Sequence, residues 1–293
     1  MRIFITILLL SLSQVFAQKY FPLLAPEMMA SDSLTHSSLR LYDFETPENL
    51  SFCGKSNSLY IAPIMETTLY SELSESTMPY NISAGFGLQY SGVNNLRISA
   101  SLLGATLDFP SYIAAQYDTA AYFLGTSNLL KSADHSKLLS HNIDISYQLS
   151  KVFSLHGGNS KVFLGEGYRS LFLSDQGVNT PHLSLKMDLG KVQYLYRLQA
   201  MQQDYTAVGQ KKYSAIHYLS WNFLKRWNLS FFESVTWQNA DSIRPRGMEW
   251  TYLNPILFFR PAEFAIGSPD NMLLGGGLSF RAGKKTTIYT QVL

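Results

Sequence analysis

Residues 82–90, ISAGFGLQY, are apolar at every even position (Ile82, Ala84, Phe86, Leu88, Tyr90) and small or polar at every odd one (Ser83, Gly85, Gly87, Gln89). Successive side chains of a β-strand point to opposite faces, so this spacing predicts a strand with one greasy face and one nearly bare face. In a water-soluble sandwich the greasy row would meet a protein core. In a membrane barrel it would meet lipid, with the polar row turned to the lumen.

The same alternation recurs in pairs along the chain. After the turn SGVNN (91–95), Leu96, Ile98, Ala100 and Leu102 alternate with Arg97, Ser99 and Ser101; Ile143, Ile145, Tyr147 and Leu149 alternate with Asn142, Asp144, Ser146 and Gln148. Leu183, Leu185, Met187 and Leu189 lead through a turn at Gly190 into Val192, Tyr194, Tyr196, Leu198 and Ala200. Residues 213–223 turn at LKRWN (224–228) and return to Trp237, and residues 272–281 turn at AGKK (282–285) toward 286–293. These are hairpins. Their length, about nine to eleven residues, suits a tilted membrane-crossing strand better than the five or six residues usual in globular sheets.

The N-terminus fits export. Residues 1–17, MRIFITILLLSLSQVFA, place one Arg before an uncharged run and end on small residues at Val15 and Ala17, the pattern of a secretory signal peptide. Its apolar run is too short for a spanning helix. Of the 23 basic residues Arg2 would be lost with the leader, leaving 22 against 21 acidic ones, and no basic run advertises nucleic acid as a partner. Cys53 is the single cysteine, so no internal disulfide is available.

Aromatic residues make up 14% of the chain and charged residues 15%, the latter low for a water-facing surface, where about a quarter of residues are charged. No later run of about 18 apolar residues exists for a membrane helix. An exported, charge-poor, aromatic-rich chain of this kind has one membrane architecture open to it, a closed barrel that satisfies its own backbone polar groups. The expectation is an all-β, antiparallel transmembrane barrel of the bacterial outer membrane over residues 59–293, behind a polar N-terminal segment at 18–58. Tyr90, Tyr213, Trp221, Trp227, Trp237, Trp250 and Tyr252 crowd strand ends, as an interfacial girdle would. Between strands, residues 110–141 carry Ile113, Tyr117, Ala120, Ala121 and Leu124 at helical spacing, predicting a helical excursion on the extracellular side.

One residue resists the scheme: Glu233 falls on the apolar row with Phe231 and Val235. A bulge, a place near the interface or an inward-facing row would each accommodate it. Leu185→Arg is expected to impair membrane assembly far more than Ser184→Arg, because only the first puts charge into hydrocarbon, at about 2–4 kcal/mol near mid-membrane.

No motif of an enzyme is present: no phosphate-cradling loop, no HExxH and no GxSxG. The six histidines are dispersed, so neither a metal nor a cofactor is expected. His217 and Ser220, three positions apart on a strand, point to opposite faces and do not form a dyad without a bulge. The Gly275–Gly277 run lies inside a strand, where glycine allows a bend or a close approach. Arg97, Asp144, Lys186, Asp188, Arg197 and Arg281 on the polar rows suit either a sugar or ion path or an internal salt-bridge ladder, and their mixed signs favour the ladder.

Five stretches occur in order in the second half: KVFLGEGYRSLFLSD (161–175), KKYSAIHYLSWNF (211–223), FFESVTW (231–237), YLNPILFFRPAEF (252–264) and GSPDNMLLGG (267–276). Together they resemble the capsule-assembly Wzi-like outer-membrane proteins of the Bacteroidota, some of them labelled gliding-motility proteins of the RemB type. The resemblance covers residues 150–293 and implies a many-stranded outer-membrane barrel that helps hold surface polysaccharide to the cell. Family members run longer and end on a strand closing in an aromatic residue, whereas this chain stops at IYTQVL, so a C-terminally truncated barrel is expected. The family's sugar-binding residues do not map onto these motifs. Glu166, Arg169, Arg260, Glu263, Asp270 and Asn271 lie within them and suit a turn-anchoring network first and a glycan site second. The expected role is non-enzymatic: surface polysaccharide attachment, capsule assembly or gliding-related surface organisation. A porin-like channel and a barrel hydrolase are the alternatives.

Overall fold

The structure is a computed structural model that describes residues 39–41, 58–69, 78–92, 95–109, 129–131, 136–167, 169–175, 177–202, 211–240, 247–255, 270–283 and 286–293. Its strands are β1 (Leu39–Leu41), β2 (Ser58–Leu69), β3 (Tyr80–Ser91), β4 (Leu96–Leu107), β5 (Leu129–Lys131), β6 (Ser136–Gln148), β7 (Phe153–Ser160), β8 (Val162–Leu164), β9 (Thr180–Asp188), β10 (Val192–Gln202), β11 (Lys211–Leu224), β12 (Trp227–Gln238), β13 (Asn271–Arg281) and β14 (Thr287–Val292). A single 3-10 turn at Trp250–Leu253 is the helical element among the described residues. No helix there is long and apolar enough to cross a membrane, which leaves strands untested by that criterion.

The long strands pair antiparallel with their neighbours, and most hairpins fall where alternation and turn chemistry place them. They divide between two compact units, the first holding β2 to β5 and β6 through Asp144, the second β1, β6 from Ile145, and β7 to β14. Within the first the order is β2-β3-β4-β6 with β5 beside β6; within the second it is β7-β9-β10-β11-β12-β13-β14, and β1 pairs separately with β8. The described strands bear out the all-β, antiparallel character expected from the sequence. The predicted helix at 113–124, the leader at 1–17 and Cys53 lie outside the described residues.

In the first unit, Phe86 stands opposite Pro63 and Leu102, and Gly87 opposite Ala62 and Ser101. The two rows have the burial that the opening stretch calls for, but reversed from a soluble sheet: Phe86 is 51% and Ile82 46% exposed, whereas Ser83 is 8% exposed. Leu59, Ile61 and Met65 on β2 and Leu102 on β4 continue the exposed apolar row, while Ser99 and Leu103 face the buried side. At Gly85 the neighbouring backbone comes too close for a side chain. A side chain at Gly85 would collide with the carbonyl of Leu102 on β4.

The second unit repeats the reversal over part of its surface. Leu155, Leu183, Trp221 and Phe231 are exposed, and Ser154, Ser184, Ser214 and Ser230 on the other row are buried. Ser184 is 1% exposed, so the polar row is packed rather than open at that position. Short turns (149–152, 189–191, 225–226, 282–286) join the strands at one end of this unit, and the longer connections (161–179, 203–210, 239–270) leave from the other.

Candidate functional site

Two segments of chain lie against the sheet of the second unit, one on each face. The first follows β7 and holds the KVFLGEGYRSLFLSD stretch. It turns back on itself through paired backbone hydrogen bonds between Leu164 and Leu173. Gly165 and Gly167 make this turn with φ of +107° and +87°, a region that side chains disfavour, and they hold Glu166 buried between them. Val162, Leu164 and Phe172 then pack on Leu195, Ile216 and Phe232, the apolar residues that interrupt the polar row. Phe172 stacks on Phe232 with ring centroids 5.2 Å apart and 5° between the planes.

Gly275 and Gly277 make room for that ring, which realises the close approach expected of the glycine run. A Cβ at Gly275 would stand 2.7 Å from the Phe172 ring and 2.9 Å from the carbonyl oxygen of Val292. Gly275→Ala is therefore expected to lower unfolding stability by about 1–3 kcal/mol, as overpacking does, read as a lower denaturant midpoint. Gln291 of β14 clamps the same segment: its Oε1 accepts from Leu171 N at 3.2 Å and its Nε2 donates to Ser170 Oγ at 3.2 Å. At the start of the segment, burial holds the Lys161 ammonium below its ordinary range, and the nearby Asp175 charge pulls the other way.

Arg197, 0% exposed on the polar row, ties this crossing to the wall. Its guanidinium donates to the Ser160 carbonyl at 2.6 Å, to Thr180 Oγ1 at 3.1 Å and to Gln199 Oε1 at 3.0 Å. Asp188 accepts from Gln193 Nε2 at 2.7 Å and from Gly190 N at 2.9 Å, closing its own turn. These bonds run to neutral partners.

The second segment, residues 247–255, lies on the opposite, apolar row. Tyr252 is fully buried against Tyr196, Leu198, Val235 and Trp237, its ring 4.9 Å from that of Trp237. Beneath this segment Glu233 stands directly opposite His217, and the Tyr194 hydroxyl is hydrogen-bonded to His217 Nδ1. Glu233 is 0% exposed. Its place on the apolar row thus needs no bulge, interface or inward turn, because protein covers it.

The residues singled out from the sequence fall on different elements. Glu166 and exposed Arg169 belong to the segment on the polar row. Asp270 accepts from the Tyr252 hydroxyl at 2.9 Å, and Asn271 opens β13 opposite Thr236. Arg260 and Glu263 lie outside the described residues. His217 and Ser220 do sit on opposite faces, Ser220 accepting from Asn228 Nδ2 at 2.8 Å. A Ser154–His156 hydrogen bond of 3.1 Å on the polar row was missed by sequence reasoning, although the i, i+2 spacing on a strand was available to find it. Among the described residues no group of three metal-binding side chains occurs.

The described residues define an antiparallel all-β chain; in its second unit one chain segment packs on the polar row and the apolar row is in part bare. Compared with known protein families, characterised proteins and solved structures, the chain matches none.

Proposed function

We propose that this chain is an outer-membrane β-barrel protein that acts without catalysis in surface polysaccharide attachment, capsule assembly or gliding-related surface organisation. One observation carries the membrane part: on β2 to β4 large apolar side chains such as Ile61, Met65 and Phe86 are exposed while Ser83 and Ser99 on the other row are buried. In water this sorting opposes the hydrophobic effect and leaves a patch far beyond what a soluble monomer carries. Hydrocarbon on the apolar side removes the conflict.

Two further features support the reading. Short turns at one end and long connections at the other match the periplasmic and extracellular ends of such barrels. Aromatic pairs mark both ends of the strands, Trp221 with Phe223 and Trp227 with Phe280 at the short turns, Tyr213 with Trp237 at the long connections. The surface-glycan role rests on the resemblance to Wzi-like proteins, and two of its motifs meet at Phe172 and Gly275. The segment packed on the polar row supports a filled lumen over a porin-like channel.

Outer-membrane fractionation, heat-modifiable gel mobility and a glycan-binding screen test the proposal. The expected result is a heat-modifiable outer-membrane protein that retains acidic or neutral surface polysaccharide and gives no steady conductance in planar bilayers. Steady conductance without glycan retention would replace it by the channel reading. A folded monomer in detergent-free buffer would overturn the membrane part as well.

A further inference from the structure

We infer that residues 247–255 form a strap that takes the place of lipid over part of the outward row, creating a lipid-excluded patch where the barrel wall is polar. The inference rests on the outer-membrane reading. Along the outward row of β10 to β12, Tyr196, Ala215, His217, Glu233, Val235 and Trp237 are buried. Their row neighbours Leu183, Trp221 and Phe231 remain exposed. Tyr252 of the strap packs on the buried set, against Tyr196, Val235 and Trp237.

The bonding is that of a fitted cover. Trp237 Nε1 donates to the Gly247 carbonyl at 3.1 Å, the Tyr196 hydroxyl to the Tyr252 carbonyl at 2.7 Å and the Tyr194 hydroxyl to the Pro255 carbonyl at 2.6 Å. Hydrocarbon offers no acceptor to a hydroxyl or indole N–H, so these three wall groups need a peptide above them. Glu233 and His217 need it more, because an ionisable side chain facing lipid at depth is heavily penalised. The strap runs from the Trp237 end, where the long connections leave, down to the level of His217. On its far side Trp250 is 80% exposed and presents an aromatic surface outward.

Tryptophan quenching by phosphatidylcholine vesicles with brominated acyl chains tests this on the full chain. One variant keeps Trp221 and another keeps Trp237, with the remaining tryptophans changed to Phe. Trp221 is expected to lose most of its emission and Trp237 to retain it. Tyr252→Ala in the Trp237 variant should then bring quenching toward the Trp221 level. If that change prevents insertion, Tyr196→Phe, which removes one strap bond without volume, should raise Trp237 quenching in the same direction. Trp237 quenched as strongly as Trp221 with the strap intact would overturn the inference and leave the membrane reading standing. Persistent shielding of Trp237 after either change would also overturn it, since something other than the strap would be the cover. Trp221 left unquenched would sink the membrane reading itself.

Discussion

Phe86→Arg is expected to block membrane assembly or lower stability in vesicles by about 2–4 kcal/mol, while Phe86→Leu leaves both nearly unchanged. Phe86 is half exposed in the middle of β3, between Pro63 and Leu102. A charge at an exposed, water-facing position shifts stability by only about 0.5 kcal/mol in either direction. The size of the effect therefore reports which solvent meets this row. Heat-modifiable mobility and urea unfolding in vesicles read it, and equal tolerance of Arg and Leu would mean water rather than hydrocarbon. The same row on β2 offers Ile61 and Met65 as repeats of the test. Ser184→Arg is no neutral control, because Ser184 is packed on the filled face.

Phe172→Ala is expected to be the most damaging change on the polar side, at about 3–5 kcal/mol, the range for emptying an aromatic from a packed site. The ring stacks on Phe232, leans on Tyr218 at 6.3 Å and fills the shelf left by Gly275 and Gly277. Collapse into the space is limited, because β13 and β14 are held by their own ladder. In the Phe172→Ala background the cost of Gly275→Ala should shrink, since its nearest obstacle is gone. It should not vanish, because the Val292 carbonyl still stands 2.9 Å from the new methyl. A double-mutant cycle on denaturant midpoints measures the coupling, and strict additivity would place Phe172 elsewhere than over Gly275.

Much of the fold was legible because strands and hairpins are written locally. ISAGFGLQY carries its own period, and the turns near Gly190, Lys225 and Gly283 separate runs whose alternation sets the pairing. Of the rows assigned from these runs, Phe86, Leu102 and Leu183 are exposed and Ser83, Ser99 and Ser184 are buried, while Arg97 on the polar row is exposed. The candidate site was less legible. Glu233 was visible as an anomaly on the apolar row, yet its explanation lies in Tyr252 and its neighbours, which no strand period links to it. The Gly275–Gly277 run announced a close approach without naming Phe172 as what approaches. Asp270 and Glu166 were singled out together, but one closes onto Tyr252 and the other is held in a glycine turn over the opposite face.

The amino-acid sequence by itself determined strand length, the two unlike rows and the hairpin order, since alternation and turn residues act between near neighbours. Tertiary structure alone decided that one return of the chain packs on the polar row of the second unit and that another packs on its apolar row, against Tyr196, Val235 and Trp237. Those outcomes depend on shape and hydrogen-bond fit between residues far apart in the chain, where no period carries the information.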